Sequence, residues 1–376
     1  MKSRIFFYLL GILIFIEPKF SYAAPVDDHK TLEIGANAPN FNLPGIDGKA
    51  YTLSSFKNAK ILVIIFTCNH CPTAQAYEER MIRLTNDYAD KAVSVVAIMP
   101  NDPNAVQLSE LGYTDMGDSF TEMKLRAKTK KYNFPYLYDG KTQSVAKAYG
   151  PVATPHVFIF DQDRKLRYSG RIDDVEKPSK NPNTTDTRNA IEELLQNKPV
   201  TTTTTKVFGC SIKWAEKKDA QKDVAAAWAK EPVKLSSVNE TELKDILENG
   251  SEKLRLINIW ATSNAASLTE FPGFITINRM YRQRDFEFIT ISVDELSKKD
   301  KAMQFLQKQQ ASNTNYIYAG NKNIFINNID PEWKGGLPYT ILVEPGGKIV
   351  YARQGMINPA NLKLIIVENH LIGRYY

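Results

Sequence analysis

The chain has 376 residues, 43% of them hydrophobic and 24% charged, with a net charge of +6. Such a length is too great for one ordinary core and implies about two domains. The charge is spread along the chain, and no Arg/Lys block with interleaved aromatics occurs, which argues against nucleic-acid binding.

Met1-Lys2-Ser3-Arg4 is a short basic start, and the apolar stretch after it, Ile5 to Ile16, is short for a membrane span. Ser21-Tyr22-Ala23 supplies the small residues of a cleavage site, so residues 1–23 read as a signal peptide and the mature chain starts near Ala24. The protein is then expected in the periplasm or secreted, not membrane-embedded after cleavage, where disulfides persist.

Residues 33–198 read as one α/β domain. The segment 61–66 is a fully apolar run, the pattern of a buried strand. Residues 74–90 carry Tyr77, Met81, Leu84 and Tyr88 at helical spacing. A second strand covers 93–99, and 101–120 is a polar, Gly/Asp/Asn-rich insertion. Residues 121–131 are helical, 136–138, 157–160 and 166–170 are strand-like, and a helix over 187–196 closes the unit. Strands alternating with helices, then a terminal hairpin, predict a mixed sheet flanked by helices.

Cys68-Asn69-His70-Cys71 stands between the first buried strand and the first helix, with Pro72 directly after it. A Cys-x-x-Cys at such a junction is a thiol–disulfide device. The helix N-terminus offers partial positive charge and free N–H groups, and both stabilise a thiolate. Two intervening residues let the second sulfur reach back to release a mixed disulfide. Half of a zinc site has the same spacing, but with three Cys in the chain its other half is missing. Pro72 stands where haem attachment needs His.

Residues 199–232 read as a linker, with a low-complexity run from Thr201 to Thr205 and a short Ala-rich helix over 221–229. A second α/β unit spans 233–376. Ser237-Val238-Asn239-Glu240 starts a helix with a cap-like pattern. A buried strand over 254–259 runs into Trp260-Ala261-Thr262. Strands at 286–293, 340–343 and 349–354 and a helix over 361–371 follow. The order repeats that of the first unit, so the fold is read as duplicated.

These residues carry a family resemblance. Gly35-x-x-Ala38-Pro39-x-Phe41, Phe66-Thr67-Cys68-Asn69-His70-Cys71-Pro72, Phe134-Pro135-Tyr136-Leu137-Tyr138-Asp139, Val145 to Gly150, Thr154-Pro155 and Gly209-Cys210-Ser211-Ile212-Lys213-Trp214 resemble the peroxiredoxin-like (redoxin, AhpC/TSA-like) branch of the thioredoxin superfamily. The resemblance implies that Pro155 is cis and faces the cysteines, and that the Thr154 backbone pairs with a partner's extended chain. It implies Cys68 as the attacking thiolate, Cys71 as the resolving thiol and His70 as the charge that lowers the Cys68 pKa. Cys210 is the odd thiol, read either as packing or as a trap for a partner. The second unit resembles thioredoxin-like reductases of the TlpA type, but Asn264 and Ser267 stand at the two cysteine positions, with Pro338 at the cis-proline position. It is therefore expected to be redox-dead, serving as a docking platform or as a dimerisation and stability element.

The fold class implied is α/β, two tandem thioredoxin-like domains. The function implied is an extracytoplasmic thiol–disulfide oxidoreductase acting on protein thiols and disulfides through Cys68–Cys71. It needs no cofactor and no resident metal, and a membrane electron donor or acceptor is a candidate partner. One alternative is a copper metallochaperone with His156 beside the thiols. Another is a weak peroxidase, although the peroxide-orienting Pro and Thr/Ser positions hold Ile64 and Cys68. Residues alone leave open the direction of electron flow and the substrate.

Overall fold

The computed structural model describes residues 29–175 and 181–374. The expected signal peptide lies outside the described residues.

Two sheets organise the chain. The first follows a small antiparallel hairpin of β1 (Asn42–Pro44) and β2 (Ala50–Thr52). β3 (Ile61–Phe66) leads into α1 (Pro72–Asp87), β4 (Val93–Met99), α2 (Phe120–Lys130), β5 (Tyr136–Tyr138) and α3 (Ser144–Tyr149). The short β6 (Ala153–Thr154), β7 (His156–Phe160), β8 (Leu166–Gly170) and α4 (Asp186–Leu195) complete it. The strand order is β5-β4-β3-β7-β8, parallel through β3 and then antiparallel.

All six residues of β3 are buried because both faces of the sheet are covered. Successive side chains of a strand point to opposite faces. Ile61, Val63 and Ile65 therefore pack under α1 and α4, with Tyr77, Met81 and Ile191. Leu62, Ile64 and Phe66 pack on the other face with Tyr149, Phe158 and Trp214. Each such side chain contributes about 1.5–3 kcal/mol relative to exposure. The strand is thus a rigid support whose C-terminal end delivers residues 67–71 to the start of α1.

The stretch expected to link two domains is packed on the first one. β8 is an edge strand with unpaired backbone groups. Ser169 N–H donates to Thr203 O and Thr205 N–H to Ser169 O, so the threonine run covers this edge. β9 (Cys210–Ser211) then pairs antiparallel with β6, Thr154 opposite Cys210, and Ile212 and Trp214 enter the core. α5 (Asp219–Ala229) follows, with Arg279 and Arg282 of the second unit over its Trp228 ring.

The second sheet runs through β10 (Ser236–Val238), α6 (Glu240–Glu248), β11 (Leu254–Trp260), α7 (Ala265–Tyr281), β12 (Phe286–Ser292), α8 (Lys299–Lys308) and β13 (Thr314–Tyr318). It ends with α9 (Lys322–Ile329), β14 (Tyr339–Val343), β15 (Ile349–Gln354) and α10 (Pro359–Glu368). Its order is β10-β13-β12-β11-β14-β15. β11 and α7 correspond to β3 and α1, and the β14–β15 hairpin to β7–β8. The chain is two tandem thioredoxin-like α/β folds, as the resemblance implies. Among the described residues no helix is long and apolar enough to cross a membrane.

The polar insertion ties the two units together. Val106, Leu108 and Leu111 join the core around α7. Tyr281 Oη donates to Thr114 O (2.8 Å), Arg284 to Gly112 O (2.8 Å) and Arg374 to Asp115 (2.9 Å). The far end of this segment reaches the cysteines.

Candidate active site

Cys71 is the N-cap residue of α1, and Pro72 occupies the first helical position, where its missing N–H costs nothing. Cys68 lies three residues earlier, near the start of the loop leaving β3. Both sulfurs are interior: Cys68 is 3% exposed and Cys71 0%. All three cysteines are free thiols, and Cys210 is partly exposed.

The cis peptides Thr154–Pro155 and Leu337–Pro338 lie where the resemblance puts them. Thr154 Oγ1 is 3.0 Å from Cys68 Sγ. Cys71, as a thiol, donates to Thr154 O (3.4 Å). The Thr154 backbone does not await a partner, however. It already pairs with β9, and Cys210 N–H donates to Cys71 Sγ (3.3 Å). Gly209 permits this close approach: at φ +142° a Cβ there would sit 2.0 Å from Thr154 O. Gly209→Ala is expected to lift the strap and destabilise the fold by about 1–3 kcal/mol. Faster alkylation of Cys210 together with a lowered Tm would show it.

His70 is not an exposed helix-start side chain. It is 1% exposed, and its Nδ1 lies 2.6 Å from Asp118 Oδ2. Asp118 takes up four donors: the backbone N–H groups of Asn69 and His70, the Asn101 amide and the His70 ring. With the carboxylate ionised, Nδ1 must carry the proton, so Nε2 is the titrating atom. Nε2 is buried and has no hydrogen-bond partner among the described residues. Burial opposes charge on Asp118, but the His70 ring and these donors hold it below the usual carboxylate range. Burial likewise opposes charge on His70, and the Asp118 carboxylate outweighs it, raising the imidazole.

These charges favour one cysteine. Burial works against the Cys71 thiolate, but bonds from Cys210 and Cys68, the His70 charge and the Ala74 N–H pull it well below the usual thiol range. Cys68 goes the other way. Burial, its bond to Cys71 and the Asp118 carboxylate push it well up. His70, expected beside Cys68, stands with the helix N-terminus among the groups that favour charge on Cys71.

Cys68, His70 and Asp118 offer donor atoms within 4.8 Å of one another, a spacing that suits a metal ion. Both Asp118 oxygens are already engaged, so an ion would have to displace buried bonds. His156, the ligand expected for copper, does not turn to the thiols. Its Nδ1 accepts from Val152 N–H and its Nε2 meets Ser169 Oγ, and burial lowers its pKa to about 3. A cavity of about 580 Å³ lined by Lys60, Lys91, Arg167 and Lys198 includes none of the three thiols.

In the second unit Asn264 caps α7 by accepting from Ser267 N–H (2.8 Å), and its amide donates to Leu337 O (3.3 Å). An amide thus stands between the helix start and the cis-proline, and Ser267 Oγ is buried without a partner among the described residues.

Asp118, Asn101 and the place of Cys210 are absent from the sequence reading. Asp118 is 48 residues from His70 and Cys210 is 139 from Cys71. The single hint was the polarity of the 101–120 insertion.

Residues 34–169 match the AhpC/TSA family. The thiol-disulfide oxidoreductase ResA of Bacillus thuringiensis is 25% identical over 171 residues, covering 44% of this chain and 86% of that protein. A hypothetical protein of Sinorhizobium meliloti is 36% identical over 50% of this chain and 97% of its own, with a TM-score of 0.44. An uncharacterized conserved protein of Geobacillus kaustophilus is 41% identical over 48% of this chain and 92% of its own, with a TM-score of 0.43. With its buried strand, its Cys-x-x-Cys at the helix start and the facing cis-proline, the cysteine-bearing unit is an AhpC/TSA domain of the thioredoxin superfamily.

Proposed function

We propose that this thiol–disulfide oxidoreductase works outside the cytoplasm on protein thiols and disulfides, with Cys68 and Cys71 as its redox pair and Cys71 as its thiolate. The observation that carries this is the Cys71 sulfur. It sits at a helix N-terminus, accepts the Cys210 and Ala74 N–H groups, and lies beside an imidazole charged by Asp118. A thiolate so held is a good leaving group, which favours the dithiol form and oxidising power. The compartment rests on the basic and apolar start of the sequence. Thr154 holds Cys68 through its hydroxyl.

A peroxidase role has little support. Cys68 stands at the peroxide-orienting position, and Cys71 is fully buried beneath β9. The second unit is proposed as a brace. Through Tyr281, Arg284 and Arg374 it grips residues 112–115, three positions before Asp118.

Equilibration in glutathione buffers, followed by thiol trapping and peptide mapping, tests the reading. A single two-electron transition linking Cys68 and Cys71 is expected. A potential of about −120 to −180 mV marks an oxidant or isomerase, and about −270 mV a reductase. No Cys68–Cys71 disulfide at any poise would refute the redox function.

A further inference from the structure

The strap from Gly209 to Lys213 is built into the centre from both sides. Lys213 N–H donates to Asn101 Oδ1 (2.9 Å), and the Gln143 amide binds Lys213 O (2.9 Å) and Ala215 N–H (2.8 Å). Ile212 and Trp214 are core residues. The strap occupies the one backbone edge, at Thr154, where an incoming strand would pair. It also places a thiol there: the Cys210 thiol hydrogen-bonds with Cys71 Sγ, and the Cys210 N–H donates to the same sulfur (3.3 Å). Of the three cysteines, Cys68 and Cys71 are buried, and Cys210 is the partly exposed one. A redox pair buried under its own chain needs a route for exchange with other molecules.

We propose that Cys210 is the third redox thiol of this centre, an internal substrate that passes disulfide equivalents between the buried Cys68–Cys71 pair and thiols outside. The proposal rests on Cys68–Cys71 being the redox pair.

The steps balance as thiol–disulfide exchanges. The Cys210 thiolate attacks the Cys71 sulfur of the Cys68–Cys71 disulfide. The bond between Cys68 and Cys71 breaks, that between Cys71 and Cys210 forms, and Cys68 leaves as a thiolate that takes up the proton given by Cys210. No electrons are gained or lost. A thiolate of the protein substrate then attacks Cys210, and Cys71 departs as the stabilised thiolate. A second substrate thiol attacks the mixed disulfide and frees Cys210. The substrate has lost two electrons and two protons, and the centre holds them as a dithiol. Reversed, the same steps reduce a substrate disulfide. In the reduced centre the bond to Cys71, then burial, raises the Cys210 thiol. The Cys71 charge behind part of that effect vanishes once Cys71 is in a disulfide, so Cys210 is released for attack when it is needed.

Full-length protein and its Cys68→Ser and Cys210→Ser variants, each checked for folding by circular dichroism, provide the test. Each is oxidised with glutathione disulfide, quenched in acid, alkylated and mapped, and its exchange with a reduced unfolded protein is timed. A Cys71–Cys210 disulfide is expected in Cys68→Ser and as a minor species in the wild type. Cys210→Ser should still form the Cys68–Cys71 disulfide yet exchange with the protein substrate on the order of tenfold more slowly. Wild-type exchange by Cys210→Ser, or no Cys71–Cys210 linkage in Cys68→Ser, overturns the relay while leaving the redox pair intact. Absence of the Cys68–Cys71 disulfide in the wild type overturns both.

Discussion

Cys71→Ser is expected to abolish disulfide exchange, whereas Cys68→Ser retains a reactive thiolate and is oxidised to a Cys71–Cys210 disulfide without trapping partners. Cys71 is the central sulfur, hydrogen-bonded with both Cys68 and Cys210, and its thiolate is favoured where theirs are disfavoured. Without it, neither remaining sulfur has the N–H donors and imidazole that make a thiolate available near neutral pH. Cys68→Ser removes only a high-pKa thiol facing Asp118. Attack by Cys68 would give the reverse pattern, with an inert Cys68→Ser and trapped partners on Cys71→Ser. Non-reducing gels after mixing each variant with a disulfide-bonded protein separate the two outcomes.

Replacing Asp118 is expected to act on stability and on redox behaviour together. Asp118→Ala leaves the Asn101 amide, two backbone N–H groups and the His70 ring without their acceptor. Breaking a buried pair in this way costs about 3–5 kcal/mol. Asp118→Asn keeps the shape but removes the charge that holds the imidazole protonated, so the Cys71 thiolate loses its neighbouring cation. Each unit by which the Cys71 pKa then rises weakens the pair as an oxidant by about 30 mV. Above ambient pH, each further unit cuts the thiolate fraction about tenfold, partly offset by higher nucleophilicity, for a net slowing of about threefold.

The pH dependence has a definite sign. His70 is raised in the folded state, so its contribution is complete below the unfolded value of about 6.5 and is lost as pH rises through the folded one. Asp118 is lowered, so its contribution is present above about 3.9 and is lost as pH falls through its folded value. Thermal melts across pH in a Cys71→Ser background, which removes the thiolate, should show both limbs. Asp118→Asn should flatten both, and unchanged limbs would mean that the dyad carries no charge.

Local patterns in this chain were legible because they are set by near neighbours. The apolar run of β3 can be buried only with both faces covered. The tandem fold followed from two such strand and helix series. Asn264 and Ser267 declared the second unit unable to form a disulfide whatever surrounds them. The threonine run was misleading for the same reason: with no apolar face it resembled a linker, and only the open edge of β8 gave its backbone a use.

The sequence by itself determined the strand, the helix start, the Cys-x-x-Cys between them and the absence of thiols in the second unit, since residue identity and spacing alone dictate these. Tertiary structure decided that His70 is buried against a carboxylate, because that depends on Asp118 folding back from a distant insertion to meet it. It also decided that His156 turns away and that Cys210 seals the groove, because burial and hydrogen bonding between residues far apart in the chain exist only once the two units and the strap have packed.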